Sequence, residues 1–134
     1  MSSKDNKHLS VLIADDEPSV REALQMILQF FNYTVVAVAS GEEAIQTLAK
    51  NHFDLVITDY AMPGINGKDL SIYVKKHWPK RPVLMITAHA GMLDHSINKT
   101  VDAILTKPFM ADTLGDAVAK LLHQSSPSTG EAKP

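Results

Sequence analysis

The stretch Leu9–Pro18, LSVLIADDEP, joins an apolar run to three consecutive acidic residues and a proline. The apolar run is nearly continuous, which is typical of a strand that is buried on both faces of a sheet. Proline is favoured in the first turn of a helix, so Pro18 indicates that a helix follows at once. The stretch therefore predicts a β–α unit with three carboxylates at the carboxyl end of its strand.

Four further apolar runs repeat this pattern. They lie at Thr34–Ala39, Phe53–Thr58, Pro82–Thr87 and Val101–Thr106. Their alternation with helical stretches predicts a doubly wound α/β domain, in which a five-stranded parallel sheet carries helices on both faces. We place this domain at residues 9–123, between a disordered N-terminal tail at 1–8 and a flexible tail or linker at 124–134.

Five helices are expected, one after each strand. Four of them have a clear apolar stripe and begin near Pro18, Ser40, Asn66 and Ala111. The remaining helix, fourth along the chain, has a thin stripe of Leu93 and Ile97 among residues that form helices poorly. We expect that element to be short or mobile.

The composition narrows the class of protein. The 134 residues carry 13 basic and 15 acidic side chains, and the net charge of -2 argues against a basic surface for nucleic acid. Cysteine is absent, which excludes disulfides, thiolate catalysis and cysteine-bound metals. No apolar run reaches the roughly 20 residues of a membrane span, and the N-terminus does not resemble a signal peptide. We therefore expect a cytoplasmic protein without a membrane or nucleic-acid partner.

Chemically active side chains follow the strands at one edge of the predicted sheet. They are Asp15, Asp16 and Glu17 after the first strand, Asp59 after the third, Thr87 at the end of the fourth and Lys107 after the fifth. Clustered carboxylates repel one another unless a cation compensates them, and Mg²⁺ prefers oxygen ligands. Lys107 offers a counter-charge for an anion, and Thr87 offers a hydrogen bond. The set predicts phosphoryl transfer to a carboxylate nucleophile beyond the strand ends.

From about Leu9 to His123 the chain resembles the receiver domain family of two-component response regulators. The motifs that carry the resemblance are Asp15-Asp16-Glu17-Pro18, Asp59-Tyr60-Ala61-Met62-Pro63-Gly64 with Asn66-Gly67, Thr87-Ala88, and Lys107-Pro108-Phe109. Each motif alone is a weak pattern, but the four in this order, each at a strand end, form a specific set. The resemblance implies a flavodoxin-like receiver fold with strand order 2-1-3-4-5.

The resemblance also implies a phosphoacceptor and a metal site. Asp59 would accept the phosphoryl group. Asp16, Asp59 and the backbone carbonyl of Ala61 would bind Mg²⁺ directly, and Asp15 would help through water. The protein would then be a signalling phosphoacceptor and not an enzyme that turns over an external substrate.

Further implications concern Lys107, Thr87 and the partners. Lys107 would pair with a phosphoryl oxygen, its peptide bond to Pro108 would be cis, and Thr87 would move toward the phosphoryl group. The phosphodonor would be a sensor histidine kinase or a histidine phosphotransfer domain. An unknown downstream protein or output domain would respond to the altered surface.

The chain departs from the family pattern near the fifth strand. Ile104 stands where the family usually has an aromatic residue, three positions before Lys107. Isoleucine cannot turn a polar ring between buried and exposed positions, which puts the usual threonine–aromatic coupling in question. Only 19 residues separate Thr87 from Lys107, and Thr100-Val101-Asp102 replaces the common Ala-Gly before the strand.

Three alternative functions differ in the residues that they require. A receiver-like interaction module that works without phosphorylation is favoured by Ile104 and opposed by the intact acidic set. An aspartyl-phosphate hydrolase of the haloacid dehalogenase type needs a second aspartate where Ala61 stands. A flavodoxin-like cofactor binder needs a phosphate-binding loop where the acidic residues after the first strand would repel phosphate.

Overall fold

The computed structural model of the chain describes residues 9–124. The predicted tails at 1–8 and 125–134 lie outside these residues, whereas Gln124, which the sequence placed in the tail, is the last residue of the final helix. None of the helices within residues 9–124 has the length and apolar composition needed to cross a lipid bilayer.

Strands and helices alternate along this part of the chain. The strands are β1 (Ser10–Ala14), β2 (Thr34–Val38), β3 (Leu55–Asp59), β4 (Val83–Thr87) and β5 (Ala103–Thr106). The α-helices are α1 (Pro18–Phe30), α2 (Gly41–Lys50), α3 (Gly67–His77) and α4 (Ala111–Gln124). Every predicted strand is present, and its ends lie close to those expected from the apolar runs.

The five strands form one parallel sheet in the order β2-β1-β3-β4-β5. This is the order that the family resemblance implied. The direction of strand addition reverses between β1 and β3, so the loops that follow these two strands diverge and leave a crevice. The crevice lies at the carboxyl ends of the strands, beside Asp15 and Asp59.

Both faces of the sheet are covered, because successive strand residues point to opposite sides. Ile13 packs with Leu24 of α1 and Leu114 of α4 on one face. Its neighbour Leu12 packs with Leu70 of α3 on the other face. Burying one such side chain stabilises the fold by roughly 1.5–3 kcal/mol. Burial on both faces is the reason that the strands read as continuous apolar runs.

Side-chain caps fix where α2 and α3 begin. Ser40 accepts a hydrogen bond from the backbone N–H of Glu43 (3.1 Å), and the Glu43 carboxylate accepts one from the N–H of Ala39 (2.8 Å). Asn66 and Asp69 form a reciprocal capping box at the start of α3. These caps satisfy backbone donors that the first helical turn leaves without partners.

Residues 9–124 contain four α-helices, not the five predicted. The chain after β4 forms two short 3-10 turns instead, Ala90–Met92 and His95–Lys99. Between them the carboxylate of Asp94 accepts hydrogen bonds from the N–H and the hydroxyl of Ser96. Such local bonding competes with an α-helix, and the thin apolar stripe offers little packing to offset it. The expectation of a short element here is confirmed.

Candidate functional site

The residues singled out from the sequence meet at the carboxyl edge of the sheet. There the backbone continues the strand pairing for one residue beyond β1, β3 and β5. The N–H of Asp15 donates to the last carbonyl of β2 (3.1 Å), and the N–H of Lys107 donates to the carbonyl of Thr87 (2.8 Å). The N–H of Tyr60, directly after Asp59, donates to β4 (2.9 Å). The sheet itself therefore holds the backbone of the site.

The loop between β1 and α1 is folded around Asp15. Its Oδ1 accepts a hydrogen bond from the N–H of Glu17 (2.9 Å). Arg21, one turn into α1, donates from Nη1 to the Asp15 carbonyl oxygen (2.7 Å). The other carboxylate oxygen, Oδ2, is buried and has no hydrogen-bond partner among residues 9–124.

Asp59 ends β3 against the start of α3. The N–H of Gly67 donates to the carbonyl of Tyr60 (2.8 Å). A Cβ at position 67 would lie 2.8 Å from the Cα of Tyr60 and closer still to the Asp59 carbonyl oxygen, so only glycine allows this approach. The hydroxyl of Thr58 donates to the same Asp59 carbonyl (2.9 Å). Close backbone packing therefore fixes the main chain at Asp59.

The ammonium of Lys107 lies among three carboxylates. Its Nζ is 2.8 Å from Oε1 of Glu17, 3.3 Å from Oδ1 of Asp59 and 3.8 Å from Oδ2 of Asp15. Asp15 and Asp59 are buried, whereas Glu17 is exposed. One cation faces three anions, so the site retains an excess of negative charge.

The pKa shifts reflect this imbalance. Burial is the main reason that the pKa of Asp15 rises from 3.8 to about 6, and the charge of Asp59 adds to the rise. Burial also raises the pKa of Asp59, against the opposing effect of Lys107. Burial alone would lower the pKa of Lys107, but its hydrogen bond to Glu17 and the nearby aspartates outweigh burial and raise it. A cation is therefore favoured beside the two aspartates.

A cleft of about 710 Å³ opens above these groups. Residues that line it include Asp16, Asp59, Ala61, Thr87, His89 and Lys107. Thr87 is buried, and its Oγ1 accepts a hydrogen bond from the N–H of His89 (3.1 Å). In that bond Oγ1 is only the acceptor, so the hydroxyl proton of Thr87 remains available for donation to an anion in the cleft.

The carboxylates fit a hard divalent cation. Asp15, Glu17 and Asp59 each offer an oxygen, and the three oxygens lie within 4.8 Å of one another. The buried Oδ2 of Asp15 supports this fit, because it accepts no hydrogen bond within residues 9–124 and Lys107 lies only at 3.8 Å, so a closer cation or a proton would compensate its charge. Mg²⁺ is typically bound by one or two carboxylates together with waters. The donor set therefore suits Mg²⁺.

The predicted ligand set and the observed cluster differ at one position. Sequence reasoning chose Asp16 beside Asp15 and Asp59, whereas Glu17 is the third member of the 4.8 Å cluster. Asp16 lines the cleft, and its charge contributes to the raised pKa of Asp59. Arg21 was not identified from the sequence as a residue of the site. Its spacing of one helical turn from Glu17 is too common in helices to indicate that role.

Two further expectations concern the fifth strand and its end. The Lys107–Pro108 peptide bond is cis, as the resemblance implied. Ile104 is half-buried and packs against the hydrophobic cluster on the face of the sheet that carries α2 and α3. The position that carries an aromatic ring in much of the family is therefore filled by an aliphatic side chain.

This sheet order, with an acidic cleft and a lysine at its carboxyl edge, defines the receiver class of α/β proteins. The chain belongs to the response regulator receiver domain family, which it matches over residues 11–119. The resemblance based on four short motifs is thus confirmed.

Two regulatory proteins align in sequence with most of this chain. It is 34% identical over 128 residues to the transcriptional regulatory protein GlrR of Escherichia coli, covering 94% of this chain and 29% of GlrR. It is 37% identical over 124 residues to the response regulator protein PilR of Pseudomonas aeruginosa, covering 90% of this chain and 28% of PilR. The chain thus spans less than a third of each of these relatives.

A solved structure shares the fold. The response regulator protein TrrA of Thermotoga maritima, in complex with Mg²⁺-BeF, aligns with a TM-score of 0.80 at 32% identity. The alignment covers 85% of this chain and 99% of that one.

Proposed function

We propose that Asp59 accepts a phosphoryl group from a phosphohistidine of a sensor histidine kinase or a histidine phosphotransfer domain. The observation that carries the proposal is the position of Asp59: it is buried, at the mouth of the cleft, with Oδ1 3.3 Å from the ammonium of Lys107. A carboxylate held beside a cation in a cleft is suited to attack an anionic donor.

The transfer exchanges one bond to phosphorus for another. A carboxylate oxygen of Asp59 attacks, the new P–O bond forms as the P–N bond to the donor imidazole breaks, and that imidazole takes up a proton from solvent. Lys107 pairs with a phosphoryl oxygen, and the hydroxyl of Thr87 donates to another. These two residues supply charge and orientation, which are the main requirements of phosphoryl transfer.

Mg²⁺ would be held by Asp15, Asp16, Asp59 and the backbone carbonyl of Ala61, with Glu17 as a further carboxylate in reach. When bound, the ion would neutralise part of the charge on the phosphoryl oxygens. The buried Oδ2 of Asp15, which accepts no hydrogen bond within residues 9–124, supports the proposal from within this chain. The Mg²⁺-BeF complex of TrrA supports it from a relative.

The consequence of phosphorylation is a shift between two surface states. The modification adds nearly two negative charges in the cleft, which draws Lys107 and Thr87 inward. His89 and Met92 also line the cleft, so the segment with the two 3-10 turns responds directly. A downstream protein or output domain then binds the altered surface, and we place this signalling role in the cytoplasm.

The proposal is tested by incubating the protein with Mg²⁺ and acetyl phosphate and measuring its intact mass. One phosphoryl adduct is expected, which requires Mg²⁺ and is absent from Asp59→Ala and Asp59→Asn. Asp112→Asn, an exposed acidic residue of α4, is the matched control and is expected to form the adduct normally.

A second candidate function is an interaction module that works without phosphorylation. The aliphatic Ile104, which lacks the ring of the usual relay, is the observation that favours it. Absence of any adduct on the folded wild-type protein would put this candidate first.

A further inference from the structure

A second cleft, of about 540 Å³, lies at the edge of the sheet opposite Asp59, where the strands begin. Residues that line it include His52, His77, Trp78, Lys80, Arg81 and Leu122. We call it the N-edge cleft. It shares no lining residue with the cleft above Asp59.

Hydrogen bonds fix the loop that forms most of this cleft, between α3 and β4. The N–H of Trp78 donates to Val74 (2.7 Å), and the N–H of Arg81 donates to the Trp78 carbonyl (2.9 Å). The ammonium of Lys75 donates both to the Arg81 carbonyl (2.6 Å) and to the carboxylate of Asp102 (2.7 Å). The cleft is therefore formed before any ligand arrives, which lowers the entropic cost of binding.

The cleft carries two cationic side chains, Arg81 and Lys80. The guanidinium of Arg81 lies over the ring of Trp78, 5.4 Å from its centroid, and is half-buried. Within residues 9–124, neither Arg81 nor the exposed Lys80 forms an ion pair with a carboxylate. A half-buried guanidinium without an anionic partner favours an incoming anion.

Among the residues of 9–124 that line the cleft, Asp54 is the one acidic side chain, and both of its carboxylate oxygens already have partners. Oδ2 of Asp54 accepts a hydrogen bond from the N–H of Ser10 (2.8 Å), and Oδ1 faces Nε2 of His52 (3.1 Å). The charge of Asp54 also acts on Arg81 from beyond ion-pair distance. With histidines counted as neutral, Lys80 and Arg81 against the one carboxylate of Asp54 leave the N-edge cleft positive in a chain whose net charge is -2.

The floor of the cleft is apolar. Leu9 and Pro82 line it beside Leu122 and the indole of Trp78. An inorganic anion or a sugar–phosphate backbone gains nothing from such a floor, whereas an aliphatic side chain gains roughly 1.5–3 kcal/mol when fully buried. The acidic net charge of the chain also opposes a long polyanion.

We propose that the N-edge cleft binds an acidic peptide segment of a partner protein, with one aliphatic side chain on the apolar floor and flanking carboxylates paired with Arg81 and Lys80. The interaction does not depend on the phosphoacceptor role of Asp59, because the two clefts lie at opposite edges of the sheet.

The test uses Trp78, which is the only tryptophan of the chain. The probe is a synthetic peptide with blocked ends in which glutamates flank a central leucine. Titration of the full chain is expected to give a saturable change in tryptophan fluorescence that weakens with added salt. Amide chemical shifts are expected to move around Trp78–Pro82 and His52–Asp54 and to stay unchanged around Asp59.

Variants locate the binding. Lys80→Gln and Arg81→Gln are each expected to weaken the peptide about tenfold, the usual size of a lost charged contact. Lys76→Gln removes an exposed lysine of α3 outside the cleft and is expected to bind like the wild type. Because Arg81 packs on Trp78, the exposed Lys80 carries the test if Arg81→Gln fails to fold.

Several outcomes would overturn the proposal. One is the absence of a saturable signal at about millimolar peptide, which is the weak end of specific recognition. Another is equal affinity for a peptide with serine in place of leucine. A third is full competition by inorganic phosphate. Tighter binding of a single-stranded oligonucleotide would overturn it as well. Asp59→Asn is expected to leave binding unchanged, and loss of binding in that variant would contradict the independence of the two clefts.

Discussion

At the scale of single residues, the shortest contact of Lys107 joins it to Glu17 and not to Asp59. Its Nζ is 2.8 Å from Glu17 and 3.3 Å from Asp59. Glu17 is exposed, so its side chain can swing away at little cost, whereas the buried Asp59 cannot. Under the proposed function, Glu17 would therefore compete with an incoming phosphoryl group for the ammonium of Lys107.

Glu17→Gln is expected to raise the rate of phosphorylation by acetyl phosphate severalfold at saturating Mg²⁺. The change releases Lys107 and removes one charge that repels the donor, a gain on the order of 1 kcal/mol. A time course of intact mass measures the rate. Glu22→Gln, an exposed acid on α1, is the control, and a slower or unchanged Glu17→Gln would show that Glu17 does not hold Lys107 back.

Asp15 makes the stability of the metal-free protein depend on pH. Its pKa is about 6 in the folded protein and near 3.8 when exposed. The folded state therefore binds more protons between these two values, and this contribution to stability is lost as pH rises through about 6. The loss is on the order of 3 kcal/mol.

This effect is measured by urea unfolding of the wild type and of Asp15→Asn in the presence of EDTA. Each protein is unfolded at about pH 4.5 and at about pH 7. The variant is expected to gain stability relative to the wild type at the higher pH, because it buries no charge. Mg²⁺ is expected to stabilise the wild type more at the higher pH. An equal difference between the two proteins at both pH values would rule out Asp15 as the source.

At the scale of elements, α3 is tied at both ends. Its start approaches the backbone of Asp59 through Gly67, and its later turns are linked to the segment before β5. The hydroxyls of Ser71 and Thr100 lie 2.7 Å apart, and Lys75 pairs with Asp102 at 2.7 Å. These contacts hold α3 against Asp59 at its start and against the segment that replaces the expected helix at its later turns.

Gly67→Ala is expected to disturb the site through this helix. The added methyl group would push α3 from β3, at a cost of ~1–3 kcal/mol in stability, and would slow phosphorylation of Asp59. Gly91→Ala is the matched control, because a Cβ there meets nothing within 4 Å. Thermal unfolding and the intact-mass assay measure both effects, and similar behaviour of the two variants would contradict the prediction.

At the scale of the molecule, the features that could be predicted from the sequence are those that depend on the position of a residue along a single strand. Burial on both faces leaves a continuous apolar run, so all five strands were found, and Asp59, Thr87 and Lys107 could be placed at strand ends. Which oxygens of Asp16 and Glu17 lie near Asp59 depends on how the loop after β1 turns, which the sequence pattern does not define. The N-edge cleft could not be predicted, because separate segments at Leu9, 52–54, 77–82 and Leu122 assemble it.

The two edges of the sheet are expected to respond separately. Mg²⁺ with acetyl phosphate should shift amide resonances in the loops after β1, β3 and β4 and leave residues 78–82 unchanged. The reason is that β1, β3 and β4, buried on both faces, form a close-packed layer between the edges. Two-dimensional NMR spectra of the wild type, with Asp59→Asn as the control, provide the measurement. Shifts of equal size at both edges would show that the sheet transmits the change.

The glycine at position 67 also has an evolutionary consequence. Every missense change of a glycine codon adds a Cβ, and here any Cβ collides with the main chain of Asp59 and Tyr60. A lineage that keeps the phosphoacceptor geometry has no neutral substitution open to it at this codon. A Cβ at Gly91 meets nothing within 4 Å, so no such collision constrains that codon.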